Sequence, residues 1–128
     1  MLSASHPARP SPVLQLNLHL ANPGPNDISF MVGSCDFHYA VVRRRDLYVV
    51  AQNDPTLGCL LVGLGHDVPV GGRENVAGIL VPVGAPNDSR LGAGRYVAFG
   101  ALKTSEGTIV APPLAFRITR QGDILPEP

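Results

Sequence analysis

Cys35, His38, Cys59 and His66 are side chains of the kinds that hold zinc. Structural zinc sites are usually announced by close-set pairs, a C-x2-C followed by an H-x3-H. Here Cys35 and His38 make one mixed pair, no second pair matches it, and positions three apart on a strand face opposite sides of a sheet. A metal centre is therefore not expected. The carboxylates are spread singly along the chain apart from Asp123 and Glu127, which gives no local sign of paired acid and base work. Ser34 and Ser105 stand near glycines but lack the G-x-S-x-G elbow of a hydrolase nucleophile. Gly63-Leu64-Gly65 and Gly92-Ala93-Gly94 are too short to cradle a dinucleotide or a phosphate. The expectation is a protein that is not an enzyme, with no catalytic residue, no cofactor and no metal.

The two cysteines, Cys35 and Cys59, have two readings. As a disulfide they would stabilise the fold by about 3 kcal/mol in an oxidising compartment; otherwise they are two buried thiols. Ten basic residues balance ten acidic ones, and the basic run is confined to Arg43-Arg44-Arg45. Nucleic-acid binding needs a basic face that displaces counterions, so that class is excluded. The arginine triplet reads as a solvated turn, with an acidic partner or phosphate contact as the alternative. No apolar run is long enough to span a membrane, and Met1 to Val13 lacks the apolar core of a signal peptide. Cytoplasmic and, with a leader removed, secreted or periplasmic locations both stand. Asn87-Asp88-Ser89 fits a glycosylation acceptor, a pattern common by chance.

The elements that must position these residues are strands. Leu14, Leu16, Leu18 and Leu20 alternate with Gln15, Asn17 and His19, the period-two pattern of a half-buried strand. Asn22-Pro23-Gly24-Pro25-Asn26-Asp27 is turn chemistry and predicts a chain reversal before a strand at Ile28. Ser34 to Asp54 is long enough for a helix, yet its β-branched and aromatic residues predict two strands joined by Arg43–Asp46. Short strands are expected around Cys59–Leu64 and Asp67–Val70, then at Val76–Val83, Arg95–Leu102 and Leu114–Thr119. Seven to nine such strands predict an all-β, antiparallel immunoglobulin-like sandwich over residues 13–121, with a disordered arm, Met1–Pro12, and a tail, residues 122–128.

Leu91-Gly92-Ala93-Gly94-Arg95-Tyr96, ahead of the apolar run Val97 to Leu102, predicts a tyrosine corner. The Tyr96 ring enters the core and its hydroxyl bonds to upstream backbone, with Gly92 and Gly94 shaping the corner. With this motif the chain resembles the bacterial intracellular proteinase inhibitor (BsuPI-like) family of immunoglobulin-like sandwiches. The matching pieces are Leu20-Ala21-Asn22-Pro23-Gly24, Ile28-Ser29-Phe30, Gly33-Ser34-Cys35-Asp36-Phe37 through Tyr39 and Val41, Val70-Gly71-Gly72, and Leu91 through Tyr96. They span about residues 14–119. The family commonly carries tryptophan after the strand that here holds Leu47–Val50, and this chain has none.

The resemblance implies a non-catalytic protein-binding module that inhibits a serine protease; the alternative is a structural or envelope-assembly domain without inhibitory activity. An inhibitor would use a stiff exposed loop. Gln52–Gly58 is the candidate, with Asn53, Asp54, Pro55, Thr56 and Leu57 as the contact residues. An assembly domain would use a sheet edge or face.

Overall fold

The computed structural model describes residues 2–5, 13–33, 35–53, 64–82 and 91–127. They form an antiparallel β-sandwich whose strands are β1 (Leu2–Ser5), β2 (Val13–Ala21), β3 (Ile28–Val32), β4 (Phe37–Arg43), β5 (Tyr48–Gln52), β6 (Leu64–Val68), β7 (Arg73–Pro82), β8 (Gly94–Thr104), β9 (Gly107–Val110), β10 (Leu114–Ile118) and β11 (Ile124–Pro126). One sheet runs β1-β2-β7, and the other runs β11-β10-β8-β4-β5 with β9 beside β8. Strands β3 and β6 form a two-stranded ribbon. Reading β1, β2, β4, β5, β7, β8 and β10 as A, B, C, C′, E, F and G gives the A-B-E and G-F-C-C′ sheets of an immunoglobulin-like sandwich.

Alternation decides which residues enter the core. Leu14, Leu16 and Leu18 of β2 are fully buried, as are Val41 of β4, Ala98 and Leu102 of β8, and Phe116 of β10. The β2–β7 register shifts between Leu18 and His19, and Leu20 beyond the shift is only partly buried. One irregular residue pair therefore ends the clean leucine stripe.

Four expectations are corrected. The strands number eleven among the described residues, because β1, β9 and β11 add to eight that answer to strands read from the sequence. Leu2–Ser5, expected within a disordered Met1–Pro12 arm, are a strand that pairs with Leu18 to Gln15, and Leu2 is a core residue at 3% exposure; residues 6–12 lie outside the described residues. The 122–128 tail likewise contains β11, paired with β10. Such strands are too short to show alternation, and only their pairing partners reveal them.

Contrary to the expected chain reversal, Asn22–Asp27 does not fold β3 back onto β2. Strand β2 pairs with β7 and β3 pairs with β6, so 13–32 and 64–82 make one long ribbon interrupted by a bend. Asn22 fastens that bend at 2% exposure. Its amide donates to the Gly72 carbonyl at 3.0 Å and its carbonyl accepts from the Gly71 amide at 2.7 Å. Its Nδ2 donates to the Asn26 and Val68 carbonyls at 2.8 and 2.9 Å, while Oδ1 accepts from the Gly24 amide at 3.0 Å. Gly71 has φ 79°, the left-handed region in which a side chain is strained.

Candidate functional site

The tyrosine of the corner is 2% exposed, and its hydroxyl donates to the Gly92 carbonyl at 2.7 Å. The Tyr96 ring stacks on Phe116 with centroids 5.7 Å apart, and burial raises its pKa. Gly94 has φ 153°, and a Cβ there would meet the Tyr96 ring at 3.9 Å. Tyr96→Phe should cost about 1–2 kcal/mol through the lost bond to Gly92. Denaturant melts check this, and an unchanged midpoint would reject the contribution.

The motif pieces quoted from the sequence meet as fastenings of the fold. Leu20–Gly24 and Val70–Gly72 join at Asn22, and a Cβ on Gly24 would lie 3.3 Å from Val70 Cγ1. In Gly33–Phe37, Asp36 Oδ2 accepts from the Gly33 amide at 2.6 Å, and the Asp36 carbonyl accepts from the Lys103 amide at 2.9 Å. These residues are spent on turns and strand ends.

Of the five expected contact residues, Asn53 alone is described, and Asp54, Pro55, Thr56 and Leu57 lie outside the described residues. Asn53 is committed to the fold. Its Oδ1 accepts from the Tyr39 amide and its Nδ2 donates to the Phe37 carbonyl, both at 2.7 Å, extending the pairing of β5 along β4 by a side chain. Cys35 sits in the turn before β4. Cys59, and with it the geometry of a Cys35–Cys59 bridge, falls outside the described residues, as does Asn87-Asp88-Ser89.

The arginine triplet lies at the tip of the β4–β5 hairpin. Arg43 holds Asp46 through two bonds, Nε to Oδ1 at 3.0 Å and Nη2 to Oδ2 at 2.7 Å, and its guanidinium lies 5.4 Å from the Tyr48 ring centroid. The Leu47 amide closes the turn on the Arg43 carbonyl at 2.8 Å. Leu47 is 76% exposed with φ 58°, a conformation that costs a branched residue about 1 kcal/mol or more. The hydrogen bonds from Arg43 hold the Asp46 carboxyl at about 2, below its usual 3.8. Because the folded value is the lower one, the pairing is complete above 3.8 and is lost as pH falls through about 2. Carbon-detected titration should show that midpoint, and Arg43→Ala should return it towards the ordinary value.

The largest unexplained feature is the outer face of the six-stranded sheet. In a sandwich this side ordinarily carries polar residues. Here Val49, Val42, Val97 and Ala115 form one row across β5, β4, β8 and β10. Gln52, Ala40 and Phe99 form the next, and His38, Ala101 and Val110 the one after, so polar side chains edge an apolar centre. Val49, Phe99 and Val110 are exposed, Phe99 at 44%. This face was missed in the sequence because Val97 to Leu102 reads as one apolar run, and a run buried on both sides looks the same as one with a bare outer side.

A cleft of about 320 Å³ opens elsewhere, lined by Val32, Phe37, Val76, Leu102 and His66 among others. Its polar groups are engaged: His66 Nδ1 lies 3.3 Å from Glu74 Oε1, and Asn75 donates to Asn17 Oδ1 at 3.3 Å. Among the described residues no group of three or more His, Cys, Asp or Glu is gathered for a metal ion, and no helix is long and apolar enough to cross a membrane. The class these features define is an antiparallel β-sandwich with an apolar sheet face. No protein-family model matches the chain, and no curated protein does.

Proposed function

We propose that this chain is a non-catalytic protein-binding module whose contact surface is the outer face of β5, β4, β8 and β10. The observation that carries the reading is the run of Val49, Val42, Val97 and Phe99 on a side of the sheet that faces solvent. Contiguous apolar patches of this kind mark interaction surfaces on otherwise polar proteins. Serine protease inhibition is the activity implied by the BsuPI-like resemblance, and it would use the Asn53–Leu57 loop. An apolar sheet face favours the assembly-type reading over the loop-type one, since a loop inhibitor has no need of it.

Two variants separate these readings when assayed against a panel of serine proteases. Replacing Asp54–Leu57 by glycine and serine, with Asn53 retained for its bonds to β4, should abolish inhibition if the loop is the contact. Phe99→Asp should leave the melting curve nearly intact, because its side chain is outside the core, while removing any contact made through the face. A wild-type chain that slows no protease leaves the face-binding module, and a protease slowed equally by wild type and Phe99→Asp rejects the face for that partner.

A further inference from the structure

The apolar face ends in a row of cations. Arg95 on β8 and Arg117 on β10 are directly opposed cross-strand partners, and the Arg44 amide donates to the Arg95 carbonyl at 3.0 Å. All three residues are exposed. Like charges set directly opposite one another weaken a sheet, so folding gives no reason for this arrangement.

Among the described residues, one carboxylate serves the row. Glu127 Oε1 lies 3.4 Å from Arg95 Nε, and Oε2 lies 3.9 Å from Arg44 Nη1. Both separations exceed the roughly 2.7–2.9 Å of a charge-assisted hydrogen bond, and Glu127 Oε1 is buried with no hydrogen-bond partner among the described residues. Arg117 has no ion pair among the described residues. The row keeps a surplus of positive charge beside an apolar surface.

We infer that this face takes a protein surface with an apolar centre and a cluster of carboxylates at one end, which meet Arg44, Arg95 and Arg117. The inference rests on the face being a binding surface, as proposed above. A second copy of the chain fits poorly. In a two-fold, face-to-face pair the arginine row meets either its own image or the opposite end of the sheet, where Lys103 is exposed with Glu106 in the adjoining turn. Arginine faces arginine in the first arrangement, and like-charge contacts suppress that pairing; in the second it faces Lys103 and the single carboxylate of Glu106 rather than a cluster. Nucleic acid fits no better, because its phosphates need a continuous basic track and the centre here is apolar.

Random peptides displayed on phage, selected in parallel against the full chain, Arg95→Glu/Arg117→Glu and Phe99→Asp, test the partner's chemistry. Peptides selected on the full chain should combine Asp and Glu with Leu, Val and Phe. They should bind the double charge reversal about a hundredfold more weakly, and that variant should itself select Lys and Arg. The neutral pair Arg95→Gln/Arg117→Gln should lose the acidic enrichment without inverting it, which keeps the test open if the reversal disturbs folding. Peptides sensitive to Phe99→Asp but indifferent to charge would overturn the acidic partner and leave the binding face standing. Peptides insensitive to Phe99→Asp would overturn both. A concentration-dependent dimer in which hydrogen exchange at Val97 and Phe99 slows would also overturn the inference, in favour of a second copy.

Discussion

Asn22→Asp is expected to lower stability by about 3–5 kcal/mol at neutral pH, although the two side chains have nearly the same shape. The Asn22 amide group donates to two carbonyls, those of Asn26 and Val68, from a site that is 2% exposed. A carboxylate has no proton to give, so it sets negative oxygen against both carbonyls and is desolvated as well. Asn22→Ala removes the repulsion and leaves the Val68 and Asn26 carbonyls and the Gly24 amide to find other partners, for about 2–4 kcal/mol. Acid should distinguish the two variants. Burial beside carbonyls raises the pKa of the introduced carboxyl, so the folded state binds the proton more tightly and the aspartate variant recovers part of its deficit as pH falls, whereas the alanine variant does not. Urea melts at neutral and mildly acidic pH provide the comparison, and equal midpoints for wild type and Asn22→Asp would mean that the bend is held by something other than this side chain.

The second large effect is expected at the start of the chain. Leu2→Ala should cost about 2–4 kcal/mol, the range for emptying a buried leucine site. A disordered arm would lose nothing. Leu2 is buried to 3% exposure and lies opposite Gly100 of β8, where an added Cβ would come within 2.9 Å of Leu2 Cδ2 and 3.2 Å of Phe37 Cε1. The absence of a side chain at Gly100 makes the hole that Leu2 fills, and so β1 is anchored to the facing sheet as well as paired with β2. The cost should stay at the lower end if β1 peels away from the edge of its sheet and lets solvent in, and reach the upper end if the cavity stays closed. Denaturant melts give the loss, and hydrogen exchange at Asn17 and Leu18 reports whether the strand has detached. A midpoint unchanged by Leu2→Ala would return the segment to the role of a loose arm.

Much of this protein was legible without coordinates where a pattern was local and repeated. Four alternating leucines define β2, because a pleated strand points every second side chain one way. The β-branched residues of Phe37–Arg43 and Tyr48–Gln52 reject a helix because they lose rotamer freedom in one. Leu91–Tyr96 announces the corner because a buried phenol needs a nearby backbone acceptor, and the Gly92 carbonyl lies four residues upstream. The tertiary structure decided what depends on partners distant in sequence. The Asn22–Asp27 turn chemistry cannot show whether β3 returns to β2 or continues against β6, since proline, glycine and asparagine suit a bend as well as a reversal. Leu2–Ser5 and Ile124–Pro126 are too short to carry a period, and they are strands because β2 and β10 have edges to pair. The outer face arises only when Val42, Val97 and Ala115 are brought side by side from three strands, and the Arg95–Arg117 opposition exists only in the register that joins them. Sequence spacing fixes which side of its own strand a residue takes; the pairing of strands fixes which residues become its neighbours, and a contact surface is made of neighbours.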